Sequence, residues 1–169
     1  MLPPDSQATE HLPTVDAKAE PTLAHPEAEG FYTEAIRSLT ESGLPFLLAG
    51  TFAVSAYTGI VRETKDLDIF CKAGDWPRIL AHFQDLGYRV EIEDERWLGK
   101  VFKDGHFFDV IFASPSGSTP VTEGWMEHAR LTEAFGLPIR IVGPTELVFS
   151  KSFIKLRHRY DGRTSRTSS

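Results

Sequence analysis

Hydrophobic side chains recur every three or four residues in four segments of the chain, and this spacing predicts helices. The first helix ends at Gly43. The second begins at Gly50-Thr51, directly after a short strand. The third begins at Asp75-Trp76-Pro77 and ends near Gly87. The predicted helices span residues 29–43, 51–57, 75–87 and a region that begins near 144.

Shorter apolar segments between these helices predict strands. Asp104-Gly105 separates two of them and suits a two-residue hairpin turn, and Gly136-Leu137-Pro138 predicts the turn of a second hairpin. The predicted strands are 46–49, 65–71, 88–92, 97–103, 106–113, 130–135 and 139–142. Strands and hairpins interspersed with helices are typical of an α+β fold, or of an α/β fold, with a mixed sheet.

The two ends of the chain differ from its middle. Residues 1–27 contain five prolines and few bulky apolar side chains, so we expect a disordered leader. Residues 161–169 contain no apolar side chain, which predicts an unstructured tail. The predicted folded domain is therefore 28–160.

The composition narrows the class of protein. The chain has 169 residues, which suits one domain, and Cys71 is its single cysteine, so an internal disulfide is excluded. Even the longest apolar runs, such as 46–49, are far shorter than the roughly 20 residues of a membrane helix, and no signal peptide is recognisable. We expect a soluble, cytoplasmic protein with no membrane partner and no DNA-binding motif.

The net charge of −6 is unevenly distributed along the chain. Residues 147–169 contain six bases and one acid, whereas the rest of the chain is acidic. Such a basic segment can contact phosphate groups although the whole chain is negative. A solvated helix face is the alternative interpretation of the same segment.

Three aspartates are the strongest candidates for chemistry. Asp66 and Asp68 lie two residues apart in a predicted strand, so their side chains point to the same face and could hold Mg²⁺. Asp109 lies in the most apolar strand, where a carboxylate is costly unless it is paired or binds a metal. If the two strands are neighbours, the three carboxylates converge on a divalent cation. In the alternative, Asp66 and Asp68 cap a turn and Asp109 pairs with Arg or Lys.

Gly50-Thr51 follows a predicted strand and precedes a predicted helix. Glycine lets a ligand approach the backbone closely, and the free N–H groups of a helix N-terminus attract anions such as phosphate. Thr51 could add a hydroxyl, or could simply cap the helix. Arg62 and Lys65, just before the aspartates, could neutralise phosphate charge or lie in solvent.

Together these motifs resemble the nucleotidyltransferase superfamily with the DNA polymerase β-like fold. The resemblance rests on Leu48-Ala49-Gly50-Thr51, on the segment 57–70 with its Asp-x-Asp, and on Phe108-Asp109-Val110-Ile111. The sequence resembles in particular the small bacterial branch of minimal, antibiotic and toxin–antitoxin nucleotidyltransferases. The resemblance implies an α+β (mixed α/β) fold, with a mixed sheet and helices packed on one face.

The resemblance also implies the role of each candidate residue. Gly50 and Thr51 would bind the triphosphate of an NTP, assisted by Arg62, Lys65 and a lysine from a later helix, for which Lys151 is the candidate. The Mg²⁺ (or Mn²⁺) ligands would be Asp66, Asp68 and Asp109, of which the last could instead be the general base.

Two functions follow from this resemblance. The first is transfer of an NMP group to an acceptor hydroxyl of a small molecule, a protein or an RNA end, with release of pyrophosphate. The second is a catalytically degenerate module, antitoxin-like, that binds a nucleotide or a protein partner. The second is motivated by Thr51, where Gly or Ser is usual in the family, and by the lack of a predicted helix in 161–169.

Overall fold

A seven-stranded mixed sheet forms the centre of the molecule, with strand order β5-β6-β7-β4-β2-β9-β8. The structure is a computed structural model and describes residues 12–151. The helices are α1 (Glu29–Ser42), α2 (Gly50–Thr58), α3 (Trp76–Asp85), α4 (Glu123–Glu127) and α5, described over 144–151. The strands are β1 (Thr22–Leu23), β2 (Leu47–Leu48), β3 (Glu63–Thr64), β4 (Asp68–Phe70), β5 (Arg89–Asp94), β6 (Leu98–Lys103), β7 (His106–Ile111), β8 (Arg130–Ala134) and β9 (Leu137–Ile141).

The sheet combines antiparallel hairpins with parallel neighbours, which confirms the predicted α+β fold with a mixed sheet. β5, β6 and β7 form an antiparallel meander, and β8 and β9 form a hairpin. β4 is parallel to β7 and antiparallel to β2, and β2 is parallel to β9. β4 therefore lies in the interior of the sheet, between the meander and the second hairpin.

Both hairpins exist, but only the first has the predicted turn. Asp104 and Gly105 adopt φ of 54° and 82°, so both have the positive φ that a type I′ turn requires. In the second hairpin the turn is Phe135-Gly136, with φ of 54° and 72°, rather than Gly136-Leu137-Pro138. Pro138 instead lies in β9 opposite Glu133. The prediction was wrong because it treated proline as a turn residue, whereas β9 accommodates it.

The two long helices α1 and α3 pack on one face of the sheet, where the main core lies. The rings of Phe31 in α1 and Phe83 in α3 contact Phe108 of β7 at centroid distances of 5.7 and 5.2 Å. Phe108 is fully buried. The opposite face of β4 carries Phe70, which contacts Trp125 of the short helix α4. Strand alternation thus separates an aromatic core on one face from the aspartate side chains on the other.

Residues 12–25 follow the surface of the domain rather than forming the disordered leader that the sequence predicts. Val15 N–H donates to the Leu131 carbonyl of β8, and Lys18 N–H donates to the Ala56 carbonyl of α2. The segment then forms β1, which pairs in parallel with β3. We call residues 12–25 the N-terminal strap. It is held by these backbone hydrogen bonds and by Leu12 and Leu23, which are partly buried against the core.

Several predicted features lie outside the described residues. These are residues 1–11 of the expected leader, the end of the predicted domain over 152–160, and the tail 161–169. Within residues 12–151, no helix is both long and apolar enough to span a bilayer.

Candidate active site

The register of the sheet places Asp68 and Asp109 side by side. They are directly paired positions of the parallel strands β4 and β7, so both side chains point to the same face. The Asp109 side chain is fully buried, and that of Asp68 is half-buried. Two neighbouring carboxylates repel each other unless a cation lies nearby. This pair is the part of the predicted triad that the strands themselves bring together.

The third aspartate does not belong to the same strand. β4 begins only at Asp68, so Asp66 lies in the loop between β3 and β4 and is exposed. Its backbone N–H and carbonyl are both hydrogen-bonded to the Thr64 hydroxyl, a turn that the uniform strand 65–71 did not predict. Within residues 12–151, no three His, Cys, Asp or Glu side chains form a group that could hold a metal ion.

Lys100 lies on the outer side of the carboxylate pair. It is the directly paired position to Asp109 across the antiparallel strands β6 and β7. Its ammonium Nζ lies 3.5 Å from Asp109 Oδ1 and 4.5 Å from the centre of the Phe107 ring. Only 16% of the Lys100 side chain is exposed. The predicted alternative, in which Asp109 pairs with a basic residue, is therefore present in this structure.

Gly50 lies on the other side of the pair, against Asp68. Ala49 N–H donates to the Asp68 carbonyl at 3.0 Å, which fixes the start of α2 beside β4. A Cβ on Gly50 would lie only 2.8 Å from Asp68 Oδ2, and Gly50 has φ of +63°. Both observations favour glycine at this position. Lys100, Asp109, Asp68 and Gly50 consequently form one row across the sheet, which we call the site row.

The start of α2 differs slightly from the prediction. The helix begins at Gly50, one residue earlier than expected, and Ala49 is its N-cap. Thr51 is therefore inside the first turn rather than at the cap, and its side chain is half-buried. The first N–H groups of α2 have no partner within the helix, so they remain able to bind an anion in front of Asp68.

Tyr32 of α1 is a further residue near the aspartates. Its hydroxyl donates to the Lys65 carbonyl at 3.2 Å. Burial, followed by the negative charges of Asp66, Asp109 and Asp68, raises the pKa of Tyr32 to about 12. The neutral phenol therefore contacts the loop that contains Asp66, and it can donate but not ionise in the neutral pH range.

A cavity of about 260 Å³ adjoins this loop. Its walls include Tyr32, Asp66 and Phe107 together with Leu23 and His25 of the N-terminal strap. It is smaller than the roughly 300–1,000 Å³ of typical drug-sized pockets. The cavity could therefore hold only a small group, or one part of a larger molecule.

The basic candidates are all exposed to solvent. Arg62 and Lys65 lie before and after the short strand β3, and Lys151 is the last described residue of α5. The backbone carbonyl of Arg62 accepts a hydrogen bond from Thr22 of the strap. Their contact with a triphosphate stays a prediction.

The sequence reasoning missed two residues of this site, Lys100 and Tyr32. Lys100 could have been found, because a two-residue turn at Asp104-Gly105 pairs Lys103 with His106 and hence Lys100 with Asp109. Tyr32 had no such signal, since its partner Lys65 is 33 residues away in the chain. The Cys71 thiol is buried, and this burial raises its pKa.

Comparison with solved structures identifies the fold. TM1012 of Thermotoga maritima, a presumed nucleotidyltransferase, matches with a TM-score of 0.58 and 17% identity over 86% of this chain and 94% of its own. ANT(2″)-Ia, in complex with adenylyl-2″-tobramycin, matches with a TM-score of 0.55 and 17% identity over 84% of this chain and 89% of its own. The chain has a nucleotidyltransferase fold.

A third solved structure has the same fold. The lincosamide adenylyltransferase LnuA, bound to lincomycin, matches with a TM-score of 0.53 and 19% identity over 73% of this chain and 84% of its own. No family model and no curated protein matches the sequence. The likeness therefore concerns the fold alone.

Proposed function

We propose that the protein is a Mg²⁺- or Mn²⁺-dependent nucleotidyltransferase that moves an NMP group from an NTP to an acceptor hydroxyl and releases pyrophosphate. The observation that carries this proposal is the adjacency of Gly50, Asp68 and Asp109. It combines a carboxylate pair for a cation with an anion-binding helix N-terminus within the reach of one nucleotide.

The two carboxylates suit magnesium chemically. Mg²⁺ prefers oxygen ligands and is commonly held by one or two carboxylates together with substrate phosphates and water. Asp68 and Asp109 provide the two carboxylates, and glycine at position 50 lets the start of α2 approach Asp68 Oδ2 closely. The third predicted ligand, Asp66, lies in the loop and is not grouped with this pair in residues 12–151, so its contact with the cation stays a prediction. A bound divalent cation would neutralise charge on the phosphates.

The residues of the chain would bind and orient the nucleotide. The first N–H groups of α2, with the Thr51 hydroxyl, would bind the β- and γ-phosphates. Arg62, Lys65 and Lys151 would supply further positive charge around the triphosphate. Holding the α-phosphorus in line with the acceptor hydroxyl would supply much of the rate enhancement, because alignment replaces a bimolecular encounter.

The direct test is transfer of a radiolabelled NMP group in the presence of Mg²⁺. Each α-labelled NTP is incubated with a panel of acceptors that includes tobramycin, lincomycin, RNA ends and the protein itself. The proposal predicts label transfer by the wild type and at least a hundredfold loss in Asp68→Asn and Asp109→Asn. Asp85→Asn, at an exposed helix position, is the matched control and should keep activity. Persistent transfer in both site variants would contradict the proposal.

A degenerate binding module is the second candidate, and one observation favours it. Lys100 is already paired with Asp109 at 3.5 Å, and such a pair can stabilise a site that no longer performs chemistry. Calorimetry with each Mg²⁺–NTP separates the two candidates. Nucleotide binding that depends on Asp68 but gives no transfer to any acceptor would favour the module.

A further inference from the structure

We infer that Tyr32 is a positioning residue, whose hydroxyl holds a loop at the edge of the site in its place. The loop spans residues 62–66, and we call it the site loop because it contains Arg62, Lys65 and Asp66. Tyr32 acts through this loop and not on the nucleotide itself. The inference rests on the proposed function and deepens it, since it concerns how the predicted contacts of the loop with a Mg²⁺–NTP are maintained.

The site loop lies outside the seven-stranded sheet. Among residues 12–151, its short strand β3 pairs with β1 alone, in a separate two-stranded sheet. The N–H groups of Thr22 and Ala24 in the strap donate to the carbonyls of Arg62 and Thr64 at 2.9 and 2.8 Å, respectively. The strap thus holds the loop as far as Thr64, and the last two residues of the loop lie beyond these bonds.

Tyr32 of α1 provides the contact beyond the strap. Its hydroxyl donates to the Lys65 carbonyl at 3.2 Å. Only 4% of Tyr32 is exposed, and its ring centre lies 5.4 Å from that of Phe31, which packs on Phe108 in the core. Because the ring is packed in a dense interior, the phenol is a fixed donor. Loss of the hydroxyl alone would release the Lys65 carbonyl and keep the buried ring.

This hydrogen bond acts on the part of the loop that adjoins the carboxylates. The Lys65 carbonyl belongs to the planar peptide group that joins Lys65 to Asp66, so its movement displaces both charged residues. The cavity of about 260 Å³ has Tyr32, Lys65 and Asp66 in its walls. Burial, and then the charges of Asp66, Asp109 and Asp68, raise the pKa of Tyr32 to about 12, so the phenol lies within electrostatic reach of all three carboxylates.

Tyr57 provides a matched control for Tyr32. Its hydroxyl also donates to a backbone carbonyl, that of Val142, at 2.7 Å. Burial is the main cause that raises the pKa of Tyr57 to about 12, as it is for Tyr32. Tyr57→Phe therefore removes an equivalent hydrogen bond, but outside the site loop and near the opposite end of α2 from Gly50.

The first measurement is hydrogen exchange of the nucleotide-free, full-length protein. We expect the amides of residues 62–66 to exchange about three- to tenfold faster in Tyr32→Phe than in the wild type, because one hydrogen bond of the loop is lost. In Tyr57→Phe, exchange in the same residues should match the wild type. Unchanged exchange in Tyr32→Phe would overturn the inference, whatever the protein binds.

The second measurement is calorimetry with Mg²⁺ and the α,β-methylene analogue of each nucleoside triphosphate. We expect about three- to tenfold weaker binding by Tyr32→Phe, whereas Tyr57→Phe should bind like the wild type. Adding Tyr32→Phe to Asp66→Asn or to Lys65→Met should cause a smaller loss, because the side chain that Tyr32 positions is already altered. A purely structural role of the hydroxyl would give the same loss in each background.

The outcomes separate this inference from the proposed function. Faster exchange with unchanged nucleotide binding in Tyr32→Phe, or an equal loss of binding in all three backgrounds, would overturn the inference and leave the proposed function standing. Failure of the wild type to bind any of the analogues would contradict both.

Discussion

Replacing Gly50 with alanine tests the close approach between α2 and Asp68. The new Cβ would lie 2.8 Å from Asp68 Oδ2, and the residue would have to keep φ of +63°. The left-handed backbone alone costs an L-residue about 1–2 kcal/mol. The contact adds overpacking of about 1–3 kcal/mol, because the carboxylate has to move away from the helix. We therefore expect Gly50→Ala to lower the free energy of unfolding by about 2–5 kcal/mol.

Gly43→Ala is the matched control for this variant. Gly43 ends α1 with φ of +77°, but no atom of the described residues lies within 4 Å of the position of its Cβ. Its substitution should cost only the backbone contribution of about 1–2 kcal/mol. The difference between the two variants, measured by urea or thermal unfolding, isolates the contact with Asp68.

Nucleotide binding gives the second readout of the same experiment. Moving the Asp68 carboxylate should weaken Mg²⁺-dependent nucleotide binding in Gly50→Ala, whereas Gly43→Ala should bind like the wild type. Equal losses of stability in the two variants would refute the steric reasoning. Unchanged nucleotide binding by a folded Gly50→Ala would refute the placement of the phosphates beside Asp68.

Three further predictions concern titration, burial and the N-terminal strap. Burial is the main cause that raises the pKa values of Tyr32, Tyr57 and Tyr88 from 10.0 to about 12. Their contribution to stability is full below pH 10 and is lost as the pH rises towards 12, so the urea midpoint should fall across that window while absorbance at 295 nm reports ionisation. Cys71 is buried with a raised pKa, so its reaction with a thiol reagent should be slow in the folded protein and fast in denaturant. Deleting residues 1–24 should lower the melting temperature because it exposes the backbone groups of β8 and β3, whereas deleting residues 1–11 leaves those hydrogen bonds in place; equal melting temperatures would contradict this.

Much of the site could be predicted from local sequence signals. Asp104-Gly105 fixes the first hairpin, because both residues accept positive φ, and the hairpin then fixes the register of β7. The buried aspartate in an apolar strand, Asp109, indicated a paired carboxylate before its neighbours were known. Gly50 after an apolar strand indicated the close approach of a ligand, which stays a prediction; the neighbour that the structure places against Gly50 is the Asp68 carboxylate.

The features that sequence reasoning missed depend on distant contacts. The N-terminal strap is ordered by backbone hydrogen bonds to β8, α2 and β3, which leave no hydrophobic pattern in residues 12–25. Asp66 leaves the strand because the Thr64 hydroxyl bonds its backbone and turns the chain. The pairing of Tyr32 with the Lys65 carbonyl connects residues that only the folded chain brings together.

Equilibrium binding of Mg²⁺–NTP to four proteins tests the carboxylate pair most directly. These proteins are the wild type, Asp68→Asn, Asp109→Asn and the control Asp85→Asn, and calorimetry is repeated with EDTA in place of Mg²⁺. We predict metal-dependent binding by the wild type and the control, and at least about tenfold weaker binding by both site variants. Binding of equal strength by all four proteins, or binding that persists in EDTA, would contradict a metal-nucleotide site at Asp68 and Asp109.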